Sequence, residues 1–190
     1  MEKDMTTGNP LSLILWFSLP VLIGNIFQQF YNMVDAIIVG RLLGEDALAA
    51  VGATGSIMFL VLYFAIGIAQ GFGVLISQAY GAKNHSLLKH YVALSLLLTL
   101  LISVVVTAMT VPSSQWMLEF MKTPDNILDM AVSYVRIIFW GIIATMLYNA
   151  ASSILRGIGD SKTPLYFLVF SSLLNIILDL SLIHISEPTR

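Results

Sequence analysis

The chain has 190 residues, of which 57% are hydrophobic and only 11% are charged, less than half of the roughly 25% usual in soluble domains. Mean hydropathy is +0.87, and 9 basic against 11 acidic residues give a formal net charge of −2. This composition argues against a soluble domain, a disordered chain and a basic surface for nucleic acid. There is no cysteine, which excludes disulfides and thiolate metal sites.

Stretches of low charge divide the chain into five parts. A helix needs about 20 apolar residues to cross a hydrocarbon core of about 30 Å. Leucine-rich runs within these stretches do not alternate apolar and polar residues, which disfavours a β-barrel. The sequence therefore predicts an all-α integral membrane protein with five transmembrane helices, at about 10–40, 47–81, 88–111, 124–155 and 164–183.

Local signals predict where these helices begin and end. Asn9, Thr123 and Thr163 each precede a proline, the pattern of a capping side chain followed by proline in the first helical turn. We expect Pro112 to end the third helix. The segment 157–163 resembles a phosphate-binding loop, but it lacks the required glycine and follows a helix, so a reverse turn with a cap for helix five is expected.

Basic residues predict the orientation, because cytoplasmic loops are enriched in lysine and arginine. Residues 1–9 are then a cytoplasmic N-terminus in a plasma (inner) membrane protein, on the side that also holds Lys83, Lys89, Arg156 and Lys162. Residues 183–190 lose the apolar pattern of helix five. We interpret them as an atypical, non-native tail on an N-terminal fragment, with a natural short protein as the alternative.

The first predicted helix has a polar face that ends in an acid. Asn25, Gln28, Asn32 and Asp35 are spaced three, four and three residues apart and share one face, with Tyr31 one turn before Asp35. A carboxylate inside a span costs roughly 2.5–3.5 kcal/mol on insertion scales and usually faces a cavity or a partner. We interpret this face as functional; amides that only bond neighbouring helices are the alternative.

The fifth predicted helix repeats this arrangement. Ser171, Asn175 and Asp179 are spaced by four residues and share a face. Counting residues from the helix ends places Asp179 and Asp35 in the outer half of the bilayer. Two acids and an amide at similar depth could share a proton or hold a small cation with oxygen ligands.

Other residues within the spans have two interpretations each. Pro20 predicts a kink in helix one, either static or a hinge. Gly67 and Gly71 form a small-xxx-small pair that predicts close helix packing. Asn149 lies on a polar face of helix four that suits either packing or lining a cavity, and we expect Arg136 to reach outward rather than pair with an acid.

Five segments in order resemble one family. The stretch PVLIGNIFQQFYNMVDAIIVG at 20–40, followed by LGEDALAAVG at 43–52, resembles the first two helices of multidrug and toxic compound extrusion (MATE) transporters. QAYGAKN at 78–84, RGIGDSKTP at 156–164 and NIILD at 175–179 look like later turns and helix five of that family. The resemblance covers about residues 10–182.

The resemblance implies twelve helices in two six-helix lobes around a central cleft, with this chain holding most of one lobe. It implies secondary active efflux of organic, often cationic, drug-like compounds by antiport with Na⁺ or H⁺ and no other cofactor. In the family, a cation or proton site falls at the positions of Asp35, Tyr31, Asn175 and Asp179, with Pro20 at a proline associated with bending. The presence of both the helix-one acid, Asp35, and the helix-five pair, Asn175 and Asp179, suggests the DinF-type branch. Gln28, Asn32 and Asn149 would line the cleft.

The partners implied are the bilayer, a small-molecule substrate and the missing C-terminal lobe, since helix six and the second lobe do not appear. No nucleic acid partner is implied. No catalytic triad, metal motif or dinucleotide fingerprint supports an enzyme. Two alternatives are a lipid-linked precursor flippase of the same superfamily, which should have a more basic cleft, and a small oligomeric channel or assembly protein.

Overall fold

The computed structural model describes the backbone of residues 9–42 and 44–186, and the side chains there except at positions 35, 39, 41, 42 and 178–186. Within these ranges the chain is all-helical, as predicted. It forms six helices, α1 (Pro10–Leu42), α2 (Glu45–Gly81), α3 (His85–Phe120), α4 (Asp125–Trp140), α5 (Ile142–Gly157) and α6 (Lys162–Ser186).

Three of these helices, α1, α2 and α3, are long and apolar enough to cross a membrane alone. Helices α4 and α5 meet at an angle of 43° and make a fourth span if the bent pair is one crossing. The stretch Lys162–Ile177 of α6 is an apolar helix shorter than a full span. The described part of the chain thus has three or four candidate spans, where the sequence predicts five.

Two of the three predicted caps are wrong. Asn9 does cap α1, because its Oδ1 accepts a hydrogen bond of 3.1 Å from the backbone of Leu11. Thr123 does not cap α4, whose N-cap is Pro124 with no side-chain cap bond. At α6 the helix begins before Thr163, so that residue lies inside the first turn and another side chain caps the helix.

Helix α3 continues through Pro112 to Phe120, so the expected end at Val111 is wrong. The hydroxyls of Thr110 and Ser113, which flank the proline, donate to the carbonyls of Val106 and Met109. Proline is tolerated inside membrane helices where neighbouring groups, including serine and threonine side chains, bond nearby backbone groups.

The predicted fourth span is broken at Gly141, which separates α4 from α5. A Cβ at this position would lie 3.1 Å from the carbonyl oxygen of Ile138. Backbone bonding continues around the break, since the Gly141 N–H donates to the Ile137 carbonyl at 3.2 Å and the Thr145 N–H donates to the Gly141 carbonyl at 3.0 Å. In addition, Thr107 Oγ1 of α3 donates to the Phe139 carbonyl at 3.4 Å. A neighbouring helix thus supplies a donor at the break.

The chain divides into two compact units, one containing α1 and α6 and the other, Glu45–Ile158, containing α2 to α5. In the four-helix unit, α3 and α5 each pack against α2, and α4 packs between α2 and α3. The largest buried side chains include Phe139, Ile142 and Met146, which lie on either side of the break in span four. Packing rather than escape from water holds such helices together in lipid.

Helices α2 and α5 approach each other closely at Gly73. A Cβ there would overlap Ser153 Oγ, and a Cβ at Gly157 would lie 3.2 Å from the Gly73 carbonyl. Gly67 and Gly71, by contrast, are exposed and meet nothing within 4 Å among the described residues. The small-residue contact therefore exists on α2, but the predicted pair Gly67 and Gly71 does not form it.

We expect Gly73→Ala to lower the free energy of unfolding by about 1–3 kcal/mol, because the added methyl forces α2 and α5 apart. Thermal or SDS-induced unfolding of the purified chain in detergent, followed by circular dichroism, measures the change. Gly67→Ala is the matched control and should be neutral or slightly stabilising. Equal losses at both positions would contradict the close approach described at Gly73.

Candidate functional site

Helices α1 and α6 pack against each other in the smaller unit. Gly24 is buried in this contact, and a Cβ on it would lie 3.4 Å from Leu168 Cδ2 and 3.5 Å from Leu165 Cδ1. Ser172, one turn beyond Leu168, is 5% exposed. The face of α1 that includes Gly24 and the face of α6 that includes Leu168 and Ser172 therefore form the seam of this unit.

The start of α6 is set by the turn at residues 158–161. Gly159 has φ +91°, a left-handed conformation that glycine adopts without strain. Asp160 Oδ1 accepts hydrogen bonds from the backbone amides of Lys162 (3.1 Å) and Thr163 (3.0 Å), and its Oδ2 accepts one from Thr163 Oγ1 (2.6 Å). The expected reverse turn with a helix cap is confirmed, with Asp160 as the capping residue.

Burial opposes ionisation of Asp160, but the hydrogen bonds from Thr163 and Lys162 outweigh it and hold the pKa of this carboxyl below its ordinary value of 3.8. Hydrogen bonds to the charged form of a carboxylate favour that form. The cap is thus an ionised one, located at the helix terminus where negative charge is favoured.

The polar face of α1 forms as far as the described side chains reach. Asn25, Gln28 and Asn32 are exposed, Tyr31 is partly buried, and Asn32 Nδ2 donates to Gln29 Oε1 at 3.3 Å. The backbone of Asp35 is helical, but its side chain lies outside the described residues. The predicted face is therefore present on the helix, without a described position for its acid.

An open depression of about 340 Å³ lies along α1. Two amide residues, Asn25 and Gln29, and three apolar ones, Ile26, Phe30 and Met33, line it. The residues expected at a cleft, Gln28 and Asn32, are not among these described lining residues. Gln29 was not singled out in the sequence, because it lies off the face that ends in Asp35.

Asn175 of α6 is the described site residue with the clearest chemical signal. Its side chain is partly buried, and its Oδ1 is shielded from solvent with no hydrogen-bond partner among the described residues. A buried acceptor without a donor is costly, so native sites of this kind commonly hold a water or an ion. Asp179, one turn later, has a helical backbone and a side chain outside the described residues.

The remaining predicted residues belong to the other unit or show no described contact that assigns them to the site. Asn149 belongs to the four-helix unit and donates through Nδ2 to the Thr145 carbonyl at 2.8 Å, so it bonds its own helix. Pro20 lies within α1, which continues on both sides of it. Arg136 is exposed, and its Nε donates to Ser114 Oγ at 3.0 Å, a contact that the sequence did not predict.

The long apolar helices and the polar groups facing their seams define this chain as an all-helical, multi-pass membrane protein. The MatE family model matches residues 20–180, and the chain belongs to the MatE family of transporters.

Curated relatives agree with this assignment. The chain is 41% identical over 162 residues to the probable multidrug resistance protein YoeA of Bacillus subtilis (strain 168). This match covers 85% of this chain and 35% of the relative. It is 30% identical to DNA damage-inducible protein F of Escherichia coli (strain K12), covering 89% of this chain and 37% of that protein. The chain thus spans little more than a third of the length of these relatives.

Solved structures match the fold. A crystal structure of MATE in the straight conformation is 30% identical, with a TM-score of 0.85, and one in the bent conformation is 30% identical, with a TM-score of 0.84. Each match covers 93% of this chain and 39% of the solved chain. The helices therefore correspond to the N-terminal lobe of a MATE transporter.

We expect Asp160→Ala to destabilise the chain by about 1 kcal/mol through loss of the α6 cap. Because the folded-state pKa of Asp160 is lowered, its contribution is fully present above the unfolded value, near 4, and is lost as pH falls through the folded value. Unfolding midpoints measured between pH 7 and pH 2.5 report this loss.

Asp160→Asn is the matched control, since it keeps an acceptor for the backbone amides but cannot titrate. It should retain most of the stability at pH 7 and show a flatter dependence below pH 4 than the native chain. Identical acid profiles for native protein and Asp160→Asn would contradict the role of the ionised cap.

Proposed function

We propose that this chain is the N-terminal part of a secondary active exporter that expels organic, often cationic compounds by exchange for Na⁺ or H⁺. The single observation behind the proposal is the shielded Asn175 Oδ1, which has no described partner, on a helix packed against the polar helix α1. An amide oxygen of this kind can coordinate Na⁺ or accept a hydrogen bond from a protonated carboxyl group.

Helix geometry supports placing Asp35 at the same seam. Eleven residues separate Asp35 from Gly24, close to three full turns, so both Cα atoms lie on one face of α1. Gly24 already faces α6 at Leu168. We therefore propose that Asp35 lies on the α6-facing side of α1, above Gly24.

The depths of the two acids also agree. The predicted alternation of spans makes α1 and α6 parallel. Counting equal rises from the contact between Gly24 and residues 165–168 brings Asp35 level with about residues 176–179. Asp179 shares a face with Asn175 and falls in this interval. We propose a site formed by Asp35, Asn175 and Asp179, with Tyr31 one turn before Asp35.

Such a site can exchange different positive species. A carboxyl group removed from bulk water can be neutralised by a proton or compensated by a cation, and the two compete for the same oxygens. Transport additionally needs two conformations with different affinity for the bound ion. Pro20, which lies on α1 below the proposed site, is the natural hinge, and relatives solved in bent and straight conformations support a two-state lobe.

We infer the DinF-type branch from the presence of both acids, Asp35 and Asp179. We also propose that a second lobe completes the central cleft. We propose a drug-like substrate because two relatives are named as probable multidrug resistance proteins. Residues 183–190 are proposed to be foreign to the family pattern.

A chimera tests the ion site. Residues 10–182 replace the matching segment of the Bacillus subtilis relative, and ethidium efflux is measured in cells with an imposed Na⁺ or H⁺ gradient. Asp35→Asn should reduce gradient-driven efflux roughly tenfold or more, the loss expected when an interaction worth about 1.4 kcal/mol disappears. Asn175→Ala should weaken the dependence on the gradient.

Asp46→Asn is the control, because Asp46 is an exposed acid in the first turn of α2. This substitution should leave efflux unchanged. Undiminished, ion-coupled efflux with Asp35→Asn would remove Asp35 from the mechanism. The 190-residue chain alone in liposomes should conduct no ions; conductance by a defined oligomer would favour the channel alternative instead.

We also propose that the α2–α3 turn is cytoplasmic and the α3–α4 turn external. The absence of cysteine makes single substitutions clean reporters. Lys122→Cys should react with an impermeant maleimide in intact cells, whereas Lys83→Cys should react only after permeabilisation. Both lysines lie in exposed turns with positive φ, so neither substitution disturbs packing. The reverse labelling pattern would invert the proposed orientation.

A further inference from the structure

Helix α4 presents a column of four side chains that the proposed transport site does not use. Asp129, Ser133, Arg136 and Trp140 are spaced by four, three and four residues, so they lie along one face of the helix. All four are exposed. From the end of the helix inward, this α4 column therefore presents an acid, a hydroxyl, a guanidinium and an indole.

The guanidinium of Arg136 is oriented but not neutralised. Its Nε donates to Ser114 Oγ, which is fully buried on α3 and itself donates to the Val111 carbonyl at 2.9 Å. Among the described side chains Arg136 has no carboxylate within ion-pair distance. A charged arginine on a membrane helix without a counter-ion is costly, and it commonly extends toward a lipid phosphate.

The depth of the α4 column matches that of lipid headgroups. Trp116 and Phe120 of α3 are exposed and stacked with ring centroids 5.6 Å apart, and aromatic residues of this kind concentrate at the membrane interface. The antiparallel register set by the Thr107–Phe139 and Ser114–Arg136 bonds places Trp116 level with about residues 130–134 of α4. The interface thus lies between Arg136, on its apolar side, and Asp129, on its aqueous side.

We propose that the α4 column binds the headgroup of a phospholipid with a primary ammonium, of the phosphatidylethanolamine class. The phosphate binds the Arg136 guanidinium with the Ser133 hydroxyl beside it, and the ammonium, which is nearer to water, donates to the Asp129 carboxylate. The Cα atoms of Asp129 and Arg136 are about 10 Å apart along the helix, and the arginine side chain covers most of that distance.

The charge pattern selects among headgroups. An anionic glycerol headgroup would satisfy Arg136 but would lie beside the Asp129 carboxylate without a cation to compensate it. A choline headgroup has the positive charge but no N–H donor for a charge-assisted hydrogen bond. An ethanolamine headgroup supplies both the phosphate and the donor in the order that the column presents.

Trp140, at the inner end of the column, is a built-in reporter. The 190-residue chain with Trp16→Phe and Trp116→Phe is reconstituted in vesicles in which either phosphatidylethanolamine, phosphatidylcholine or phosphatidylglycerol has brominated acyl chains. Preferential quenching of Trp140 gives the relative affinity of each lipid class at this face. We expect phosphatidylethanolamine to bind roughly three- to fivefold more tightly than the other two, as one interfacial ion pair allows.

The variants separate the two halves of the site. Asp129→Asn should remove the preference over phosphatidylcholine, and Arg136→Gln should remove lipid selectivity altogether, whereas Arg136→Lys should keep part of it. Glu119→Gln and Lys122→Gln, an acid and a base at the same end of the bundle, are matched controls and should change nothing. Circular dichroism confirms that each variant keeps its helices.

Three outcomes would overturn the proposal. Equal quenching by all three lipids would show that the column selects nothing. Strongest quenching by phosphatidylglycerol, unchanged by Asp129→Asn, would show a simple phosphate contact without ammonium recognition. Loss of the preference on adding millimolar soluble glycerophosphoethanolamine would show that the column binds a free headgroup compound rather than a bilayer lipid.

Discussion

Every backbone N–H and C=O in the hydrocarbon layer has to find its partner within the protein, because no water is there to supply one. The described fold follows from this requirement. It explains helices of 33, 37 and 36 residues joined by short turns, and it accounts for the side-chain hydroxyls that donate to backbone carbonyls near a proline or a bend. At Pro112 the flanking hydroxyls bond nearby carbonyls, and at Gly141 the hydroxyl of Thr107 reaches the Phe139 carbonyl from another helix.

The same requirement makes an unpartnered polar atom informative. Most inward-facing hydroxyls of α3 are satisfied within their own helix, as Ser95 and Ser103 show by donating to carbonyls three residues earlier. Against that background, Asn175 Oδ1 is unusual, since it lies on a packed helix without a described donor. Thr99 Oγ1 is a second such atom, fully buried in the four-helix unit. The first lies beside a helix with a predicted acid, and the second has no such neighbour predicted.

Composition and charge spacing were sufficient to predict an all-helical membrane protein and most of its turns, because hydropathy dominates in lipid. Helix ends were less predictable. Pro112 looked like a terminator when judged alone, but α3 continues through it to Phe120. Glycine spacing predicted close packing of α2 at Gly67 and Gly71, and that prediction is wrong. Which glycine meets a neighbour depends on the path of α5, and the contact falls at Gly73.

The candidate ion site was predictable only in part. The periodicity of polar residues identified α1 and α6 as a pair, and the two helices do pack together. The lack of a described hydrogen-bond partner for Asn175 Oδ1 could not be predicted from the sequence, because it depends on which groups of α1 lie level with Asn175. The side chains of Asp35 and Asp179 lie outside the described residues, so their meeting stays a prediction.

The contact at Gly73 also has an evolutionary consequence. Because Gly73 leaves room for Ser153, and Gly157 lies against the Gly73 carbonyl and the Ile76 side chain, enlarging one of these residues demands shrinkage or retreat at another. Sequence drift at this crossing should therefore proceed through paired replacements. Gly67 and Gly71 meet no described neighbour, so single substitutions there need no partner change. The part of α2 around Gly67 and Gly71 should therefore diverge faster among homologues than the part around Gly73.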